Sequence, residues 1–171
     1  MNAYTDILET ERLALRELTL QDVSFIIELL NTPGWLKYIG ERNVKNEEQA
    51  IAYLENGPIK SYREHGYGLW LVETKTDQRK IGMCGILRRP ALEHPDIGYA
   101  FLPEFTGIGY AVEIAQAVLA YAFTSLQLTN LSAITLPENT RSIRVLEKIG
   151  MKYVKRFQFA GKDEELLLYS T

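Results

Sequence analysis

The sequence predicts one domain of the α/β or α+β class, with a mixed central sheet of about seven strands and about four helices. The 171 residues have a globular composition, with 46% hydrophobic and 24% charged residues. Strand patterns and helix patterns alternate along the chain. A nearly all-apolar helix pattern lies between two strand patterns, which is typical of a parallel pair joined by a crossover helix. No shift in composition marks a boundary, so we assign residues 1–171 to one domain.

The N-terminal part predicts one strand and then two helices. Residues 12–18 alternate between apolar and polar side chains, which predicts a strand. Thr19 is typical of the residue before a helix, and Pro33 indicates where that helix has ended. Asn46 is a second such N-cap residue, and its helix is predicted to end near residues 56–58.

The rest of the chain predicts six further strands and two helices. Apolar and alternating patterns predict strands at residues 68–73, 80–87, 96–102, 131–136, 151–159 and 165–169. The first two of these are joined by a polar segment that suits a hairpin, and the last two close the chain as an antiparallel pair. Helical spacing of apolar residues predicts a buried helix over 109–125 and another over 139–149.

The most informative stretch is the strand, glycine loop and buried helix that begin at residue 100, with the sequence Ala-Phe-Leu-Pro-Glu-Phe-Thr-Gly-Ile-Gly-Tyr-Ala. Gly107 and Gly109 allow a tight turn, so the backbone N–H groups of residues 106–111 can converge on one point. The N-terminus of the helix adds partial positive charge there. The pattern predicts a phosphate or pyrophosphate site, and the alternative is a tight loop before a core helix.

Two common nucleotide-binding motifs do not fit this loop. The dinucleotide fingerprint requires a third glycine, and Val112 stands at that position. A P-loop requires Gly-Lys-Ser or Gly-Lys-Thr, and neither follows the two glycines. The loop is therefore either a site for another class of phosphate-bearing ligand or a tight loop before a core helix.

Composition argues against several other functions. The 19 basic and 22 acidic residues give a net charge of −3, so we expect no nucleic-acid partner. The single cysteine and two histidines predict neither a disulfide nor a metal site. The start of the chain does not have the pattern of a signal peptide, and the longest apolar run, residues 117–123, is too short to span a bilayer. We expect a cytoplasmic protein with no membrane partner.

Three segments of the chain resemble the GCN5-related N-acetyltransferase (GNAT) superfamily. Within it, they are similar to the ribosomal-protein N-terminal acetyltransferases of the RimJ/RimL type. The segments are residues 8–16 (Leu-Glu-Thr-Glu-Arg-Leu-Ala-Leu-Arg), residues 97–99 (Ile-Gly-Tyr) with 103–111, and residues 139–142 (Asn-Thr-Arg-Ser) with 145–151. They occur in the family's order. The resemblance implies a single GNAT-like domain in which two parallel middle strands, 96–102 and 131–136, splay apart.

The resemblance implies acetyl-CoA as the donor and a primary amine as the acceptor, either a protein N-terminus or a small molecule. The glycine loop would bind the pyrophosphate, and the strand before it would pair with the pantetheine arm. The implied cofactor-binding residues are Phe101, Leu102, Thr106, Gly107, Ile108, Gly109, Tyr110, Ala111, Asn139 and Ser142. Two positions depart from the family pattern. Glu104 replaces a glutamine or arginine, and Ile108 replaces a residue that is usually basic, so positive charge near the phosphates is lost.

The reaction requires a base, an oxyanion donor and an acid, because an amine attacks a thioester carbonyl only when it is neutral. The resemblance implies Asp96 as the base and Ser142 as the acid, with a backbone N–H near the end of the same strand, at Phe101 or Leu102, as the oxyanion donor. The alternative bases are His94, Glu113 and water. Asp96 could instead be a solvated residue at a strand start, and Ser142 a serine that bonds the backbone.

The main alternative function is a non-catalytic acyl-CoA-binding sensor. The lost charges at Glu104 and Ile108 favour it. So does Leu146, which occupies the position of the tyrosine that many superfamily members use as the acid. We predict that Cys84 is a small core residue and not a nucleophile. We also expect a monomer or a homodimer.

Overall fold

The computed structural model describes residues 4–171 of the chain; residues 1–3 of the predicted domain lie outside it. Eight strands form one sheet in the order β1-β2-β3-β4-β5-β6-β8-β7. The strands are β1 (Asp6–Glu9), β2 (Leu13–Arg16), β3 (Leu69–Thr74), β4 (Lys80–Leu87), β5 (Asp96–Phe101), β6 (Ser132–Thr135), β7 (Lys152–Phe157) and β8 (Leu166–Ser170). The neighbours β5 and β6 are parallel and all other neighbours are antiparallel. The predicted mixed sheet is confirmed.

Six α-helices lie within residues 4–171. They are α1 (Val23–Leu30), α2 (Pro33–Tyr38), α3 (Glu47–Asn56), α4 (Pro58–His65), α5 (Tyr110–Thr124) and α6 (Thr140–Lys148). The sequence prediction of about four helices lacks α2 and α4, each of which begins at a proline. Proline ends a helix that precedes it, but it is also favoured at the first position of a new helix. The prediction also lacks β1, a four-residue strand without a regular burial pattern.

The sheet separates two apolar clusters. Strand side chains point alternately to opposite faces, so Trp70 packs in the cluster of α5 and α6, while Leu71 packs in the cluster of α1 and α3. Cys84 and Met83 divide in the same way. Both faces of the central strands are therefore covered, which explains their nearly continuous apolar sequences.

The sheet is open between β5 and β6. These strands share a single registered pair, Asp96 with Ser132, whereas β4 and β5 share six pairs and β6 and β8 share four. The chain leaves β5 through a short 3-10 turn at Pro103–Phe105, forms α5 and then enters β6. The predicted splay of two parallel strands joined by a crossover helix is confirmed.

Candidate active site

The loop between β5 and α5 presents a row of backbone N–H donors. Gly107 and Gly109 have φ values of +77° and +86°, a region that glycine adopts without strain. Gly109 precedes α5, and no side chain caps the helix. Within residues 4–171, the N–H groups from Gly107 to Val112 have no hydrogen-bond acceptor outside α5. The first hydrogen bond of the helix comes after them in the chain, from Glu113 N–H to Gly109 O at 3.1 Å. Such a row at a helix N-terminus suits an anion.

Thr106 differs from the rest of the predicted loop. Its N–H donates to Pro103 O at 3.2 Å, and its hydroxyl donates to the same oxygen at 2.7 Å. The free N–H donors of the loop therefore begin at Gly107. Thr106 instead closes the turn that precedes them.

The edge of β5 that faces β6 carries unpaired backbone groups. The N–H of Leu102 donates to Ile81 O at 2.9 Å, so it points toward β4. Successive residues of a strand direct these groups to opposite edges, so those of Tyr99 and Phe101 point toward β6. Since the pairing of β5 with β6 is registered only at Asp96, the groups of Tyr99 and Phe101 have no strand partner in the described part of the chain. An extended ligand with amide groups can pair there.

Unlike Phe101, Leu102 has no backbone group free to pair with a ligand. Its N–H is bonded to β4, and its carbonyl accepts from Phe105 N–H at 3.0 Å. Its side chain is buried in the α1 cluster. Both Phe101 and Leu102 were predicted to bind the cofactor, but only Phe101 has backbone groups free to pair with a ligand. The alternation of backbone direction along β5 explains this difference.

The start of α6 faces β5 and brings Ser142 against Tyr99. Asn139 caps α6, since its Oδ1 accepts from Ser142 N–H at 3.2 Å. The Tyr99 hydroxyl lies 3.0 Å from Ser142 Oγ and donates to Ser142 O at 3.1 Å. Burial raises the pKa of Tyr99, although its hydrogen bond with Ser142 acts in the opposite direction. Two hydroxyl groups thus meet beside the open edge of β5.

Sequence reasoning identified Ser142 and Asn139 but used Tyr99 only as part of a motif. The missed signal is the position of Tyr99 on the strand, on the same face as Ile97 and Phe101. That face packs against α5 and α6. Leu146 on α6 is buried, and Tyr99 reaches α6 from β5 through its contact with Ser142.

Asp96 is buried at the start of β5, with 1% of its surface exposed. The Nε of Arg89 lies 3.0 and 3.2 Å from its two carboxylate oxygens. Burial raises the pKa of Asp96 to about 6, and the charge of Arg89 limits this rise. The alternative that Asp96 is a solvated strand-start residue is wrong. A carboxylate with a pKa near neutrality is suited to accept a proton.

The other two candidate side chains have different surroundings. Burial acts to raise the pKa of Glu113, but hydrogen bonds from Thr10 and Arg12 outweigh it and lower that pKa. His94 is half-exposed in the loop before β5, and its Nε2 lies 3.8 Å from a Glu93 carboxylate oxygen. Of the two carboxylates, Asp96 has the environment that better fits a base.

Cys84 is fully buried in the core, where burial raises the pKa of its thiol. A buried thiol held in its neutral form is a poor nucleophile. The structure therefore agrees with a packing role for this residue.

The sequence model of the acetyltransferase (GNAT) domain matches residues 12–152 of the chain. The chain belongs to the GNAT family. It is 32% identical over 148 residues to the Bacillus subtilis (strain 168) protein named "Uncharacterized N-acetyltransferase YoaA", covering 85% of this chain and 82% of that protein. A GNAT-family acetyltransferase structure from Bacillus anthracis is 27% identical, covers 98% of each chain and superposes with a TM-score of 0.80. This GNAT protein is an acyltransferase.

More distant structures share the fold of this GNAT protein. A ribosomal-protein-S5-alanine acetyltransferase from Vibrio fischeri is 18% identical, with a TM-score of 0.81 over 99% of this chain and 96% of that chain. At this identity the likeness shows the fold alone. No helix in the described part of the GNAT protein is both long enough and apolar enough to cross a membrane.

Proposed function

We propose that the protein transfers an acetyl group from acetyl-CoA to a primary amine, which attacks the thioester directly. One observation carries the proposal: the uncapped N–H row before α5 lies directly after the unpaired edge of β5. Coenzyme A has a diphosphate next to an arm with amide groups, so an anion site that continues a strand edge fits it. When bound, the donor supplies an activated acetyl group.

Each part of this site has a role toward the donor. The N–H groups from Gly107 to Ala111 bind the diphosphate, while Thr106 orients the loop. The free backbone edge of Tyr99 and Phe101 pairs with the pantetheine arm. Asn139 contributes its Nδ2 as a hydrogen-bond donor to the bound acetyl-CoA. Its Oδ1 already caps α6, whereas its Nδ2 has no acceptor within residues 4–171.

Asp96 accepts the proton of the attacking amine. With a pKa of about 6 it is ionised at pH 7 to 8, yet it remains more basic than an ordinary carboxylate. Arg89 holds the carboxylate in place and limits the effect of burial.

A cleft of about 340 Å³ lies between α3, α4 and residues of β3 and β4. It is lined by Tyr53, Asn56, Gly57, Pro58, Lys60, Ser61, Glu64, His65, Leu69, Leu87 and Arg88. A Cβ at Gly98 would lie 3.3 Å from Leu87 Cδ1 and 3.8 Å from Leu69 Cδ2, so the cleft borders β5 two residues from Asp96. We propose that the acceptor amine, from a protein N-terminus or a small molecule, enters here.

Ser142 donates a proton to the sulfur of the leaving thiolate, which becomes the free thiol, and Tyr99 holds the Ser142 hydroxyl through their 3.0 Å contact. Replacement Ser142→Ala should lower kcat by about 100-fold, the low end for an acid, because a thiolate is a good leaving group even without protonation. The dissociation constant for coenzyme A should stay within about twofold. Ser142→Thr keeps a hydroxyl and is the matched control. Unchanged kcat in Ser142→Ala would remove this role.

The proposed function is tested by adding coenzyme A to the purified protein and by following thiol release from acetyl-CoA. A ligand at about 100 times its dissociation constant adds about 2.7 kcal/mol to native-state stability, which raises the Tm by about 5–10 °C for a chain of this size. Thiol release is then measured with polyamines, amino acids, amino sugars and peptides with free N-termini. The peptides test the resemblance to the RimJ/RimL type.

The two readouts separate the candidate functions. Absence of any stabilisation by coenzyme A would contradict the proposal. Stabilisation without thiol release on any amine would favour the acyl-CoA sensor, the candidate that Leu146 and Ile108 support. A cytoplasmic location, a monomeric or homodimeric state and the absence of a nucleic-acid partner stay predictions.

A further inference from the structure

Arg12 lies against the glycine loop, although it precedes Ile108 by 96 residues in the sequence. Its Nη1 donates to Ile108 O at 3.2 Å. Its guanidinium carbon lies 4.4 Å from the centre of the Tyr110 ring. Its Nη2 lies 3.3 Å from the point where a Cβ on Gly109 would stand. The guanidinium therefore touches the loop at three successive residues.

Glu113, in the first turn of α5, holds Arg12 in this position. Its Oε1 accepts from Arg12 Nε at 2.8 Å. Its Oε2 accepts from the Arg12 backbone N–H at 3.1 Å and from the Thr10 hydroxyl at 2.6 Å. The Arg12 side chain is 43% exposed, so it is held in one orientation and is still open to a ligand. A side chain that is already held in its binding orientation loses little conformational freedom when a ligand binds.

Most of the guanidinium's hydrogen-bonding capacity is unused. A guanidinium carries five N–H donors, and those of Arg12 at Nη2 have no acceptor within residues 4–171. Near the loop, Ile108 has no charge, and Glu104 is paired with Arg79 at 3.4 Å. Arg12 is thus a cation beside the N–H row, where the loop itself contributes no positive side chain between residues 103 and 111.

We propose that Arg12 binds the diphosphate of the donor and supplies the charge that Glu104 and Ile108 do not provide. This rests on the proposed function, because it requires the diphosphate to lie at the loop. Arginine suits the role, since its planar fork forms paired hydrogen bonds with phosphate oxygens. Glu113 is a positioning residue, which acts on the donor only through Arg12.

The variant Arg12→Gln tests the proposal with two donors. Acetyl-CoA carries the diphosphate, whereas acetyl-pantetheine has the same arm and thioester without it. We expect the dissociation constant for coenzyme A and the KM for acetyl-CoA to rise about tenfold, the low end for a hydrogen bond to a charged group at a partly exposed site. The kcat/KM for acetyl-pantetheine should change less than about twofold.

Two matched variants accompany it. Arg63→Gln removes a positive charge from an exposed position on α4. It should leave the affinity for coenzyme A and the kinetic constants for both acyl donors unchanged. Arg12→Lys keeps the charge without the fork and should give an intermediate affinity; it also replaces Arg12→Gln if that variant does not fold.

The tenfold difference in coenzyme A affinity between wild type and Arg12→Gln should shrink as the KCl concentration rises, because salt screens a charge that is open to solvent.

Three results would overturn the assignment in different ways. Equal losses with both donors would mean that Arg12 only supports the fold. Equal affinity of wild type and Arg12→Gln for coenzyme A would remove Arg12 from the site while leaving the proposed function intact. Failure of the wild type to bind coenzyme A or to use acetyl-CoA would remove the proposed function itself, and the role of Arg12 with it.

Discussion

Replacement of Gly107 by tryptophan is expected to abolish coenzyme A binding, with a rise in the dissociation constant of more than about 100-fold. A Cβ at Gly107 would meet nothing within 4 Å, so the indole would occupy the open space beside the N–H row. Loss of two or more hydrogen bonds to a charged phosphate accounts for this magnitude. Titration calorimetry with coenzyme A measures the effect directly.

Gly161→Trp is the matched control for this experiment. Gly161 also has a φ of +77°, a Cβ there would also meet nothing within 4 Å, and it lies between β7 and β8. Both variants therefore place a tryptophan in a left-handed conformation, which costs about 1–2 kcal/mol of stability. Wild-type affinity in Gly107→Trp would show that the loop is not the diphosphate site. Equal loss in both variants would trace the effect to destabilisation.

Replacement of Asp96 by asparagine is expected to lower kcat by about 100- to 10,000-fold, the range for a lost general base. The same variant should be more stable than the wild type at pH 7.5. Burial raises the pKa of Asp96 from 3.8 to about 6, so the folded state holds this proton more tightly than the unfolded state does. The asparagine side chain would not carry the buried charge, and its amide oxygen could still accept from Arg89.

The sign of the stability effect depends on pH. The contribution of Asp96 is fully present below about pH 4 and is lost as the pH rises toward 6, where the folded state ionises. Above pH 6 the wild type therefore lacks about 1–3 kcal/mol that Asp96→Asn retains. Urea unfolding at pH 4 and pH 7.5 measures this difference.

A pH profile and a second variant complete the experiment. The wild-type kcat/KM should rise with an apparent pKa near 6, and Asp96→Asn should lose that step. Asp163→Asn alters an exposed carboxylate in the final hairpin and should match the wild type. Full turnover in Asp96→Asn, or lower stability at pH 7.5, would contradict the assigned role.

The parts of the site that follow from local chemistry were predictable from the sequence. The glycines at 107 and 109 and the apolar helix after them predict a tight turn followed by a helix N-terminus, and both occur. Asn139 is the first residue of the predicted helix over 139–149, and it caps α6 by accepting from Ser142 N–H. Such signals depend on neighbours within a few residues, so they survive in a single sequence.

The partners that set the chemistry of each group were not predictable in this way. Glu113 is a candidate base by sequence alone, but the tertiary structure places Arg12, 101 residues earlier, on its carboxylate. The contact of Tyr99 with Ser142 spans 43 residues. Such pairs depend on how α5 lies relative to the start of β2 and on how β5 lies relative to α6, and no periodicity in the sequence encodes that arrangement.

The single registered pair between β5 and β6 also limits how this protein can be stabilised. The fold leaves its own central strand incompletely bonded, so a substitution that let β6 close along β5 would gain backbone hydrogen bonds and remove the edge at which we propose that the donor pairs. On this proposal, thermal stability and affinity for the donor are opposed where β5 meets β6. Engineering for robustness should act on the outer strands and helices, where added contacts do not compete with the donor.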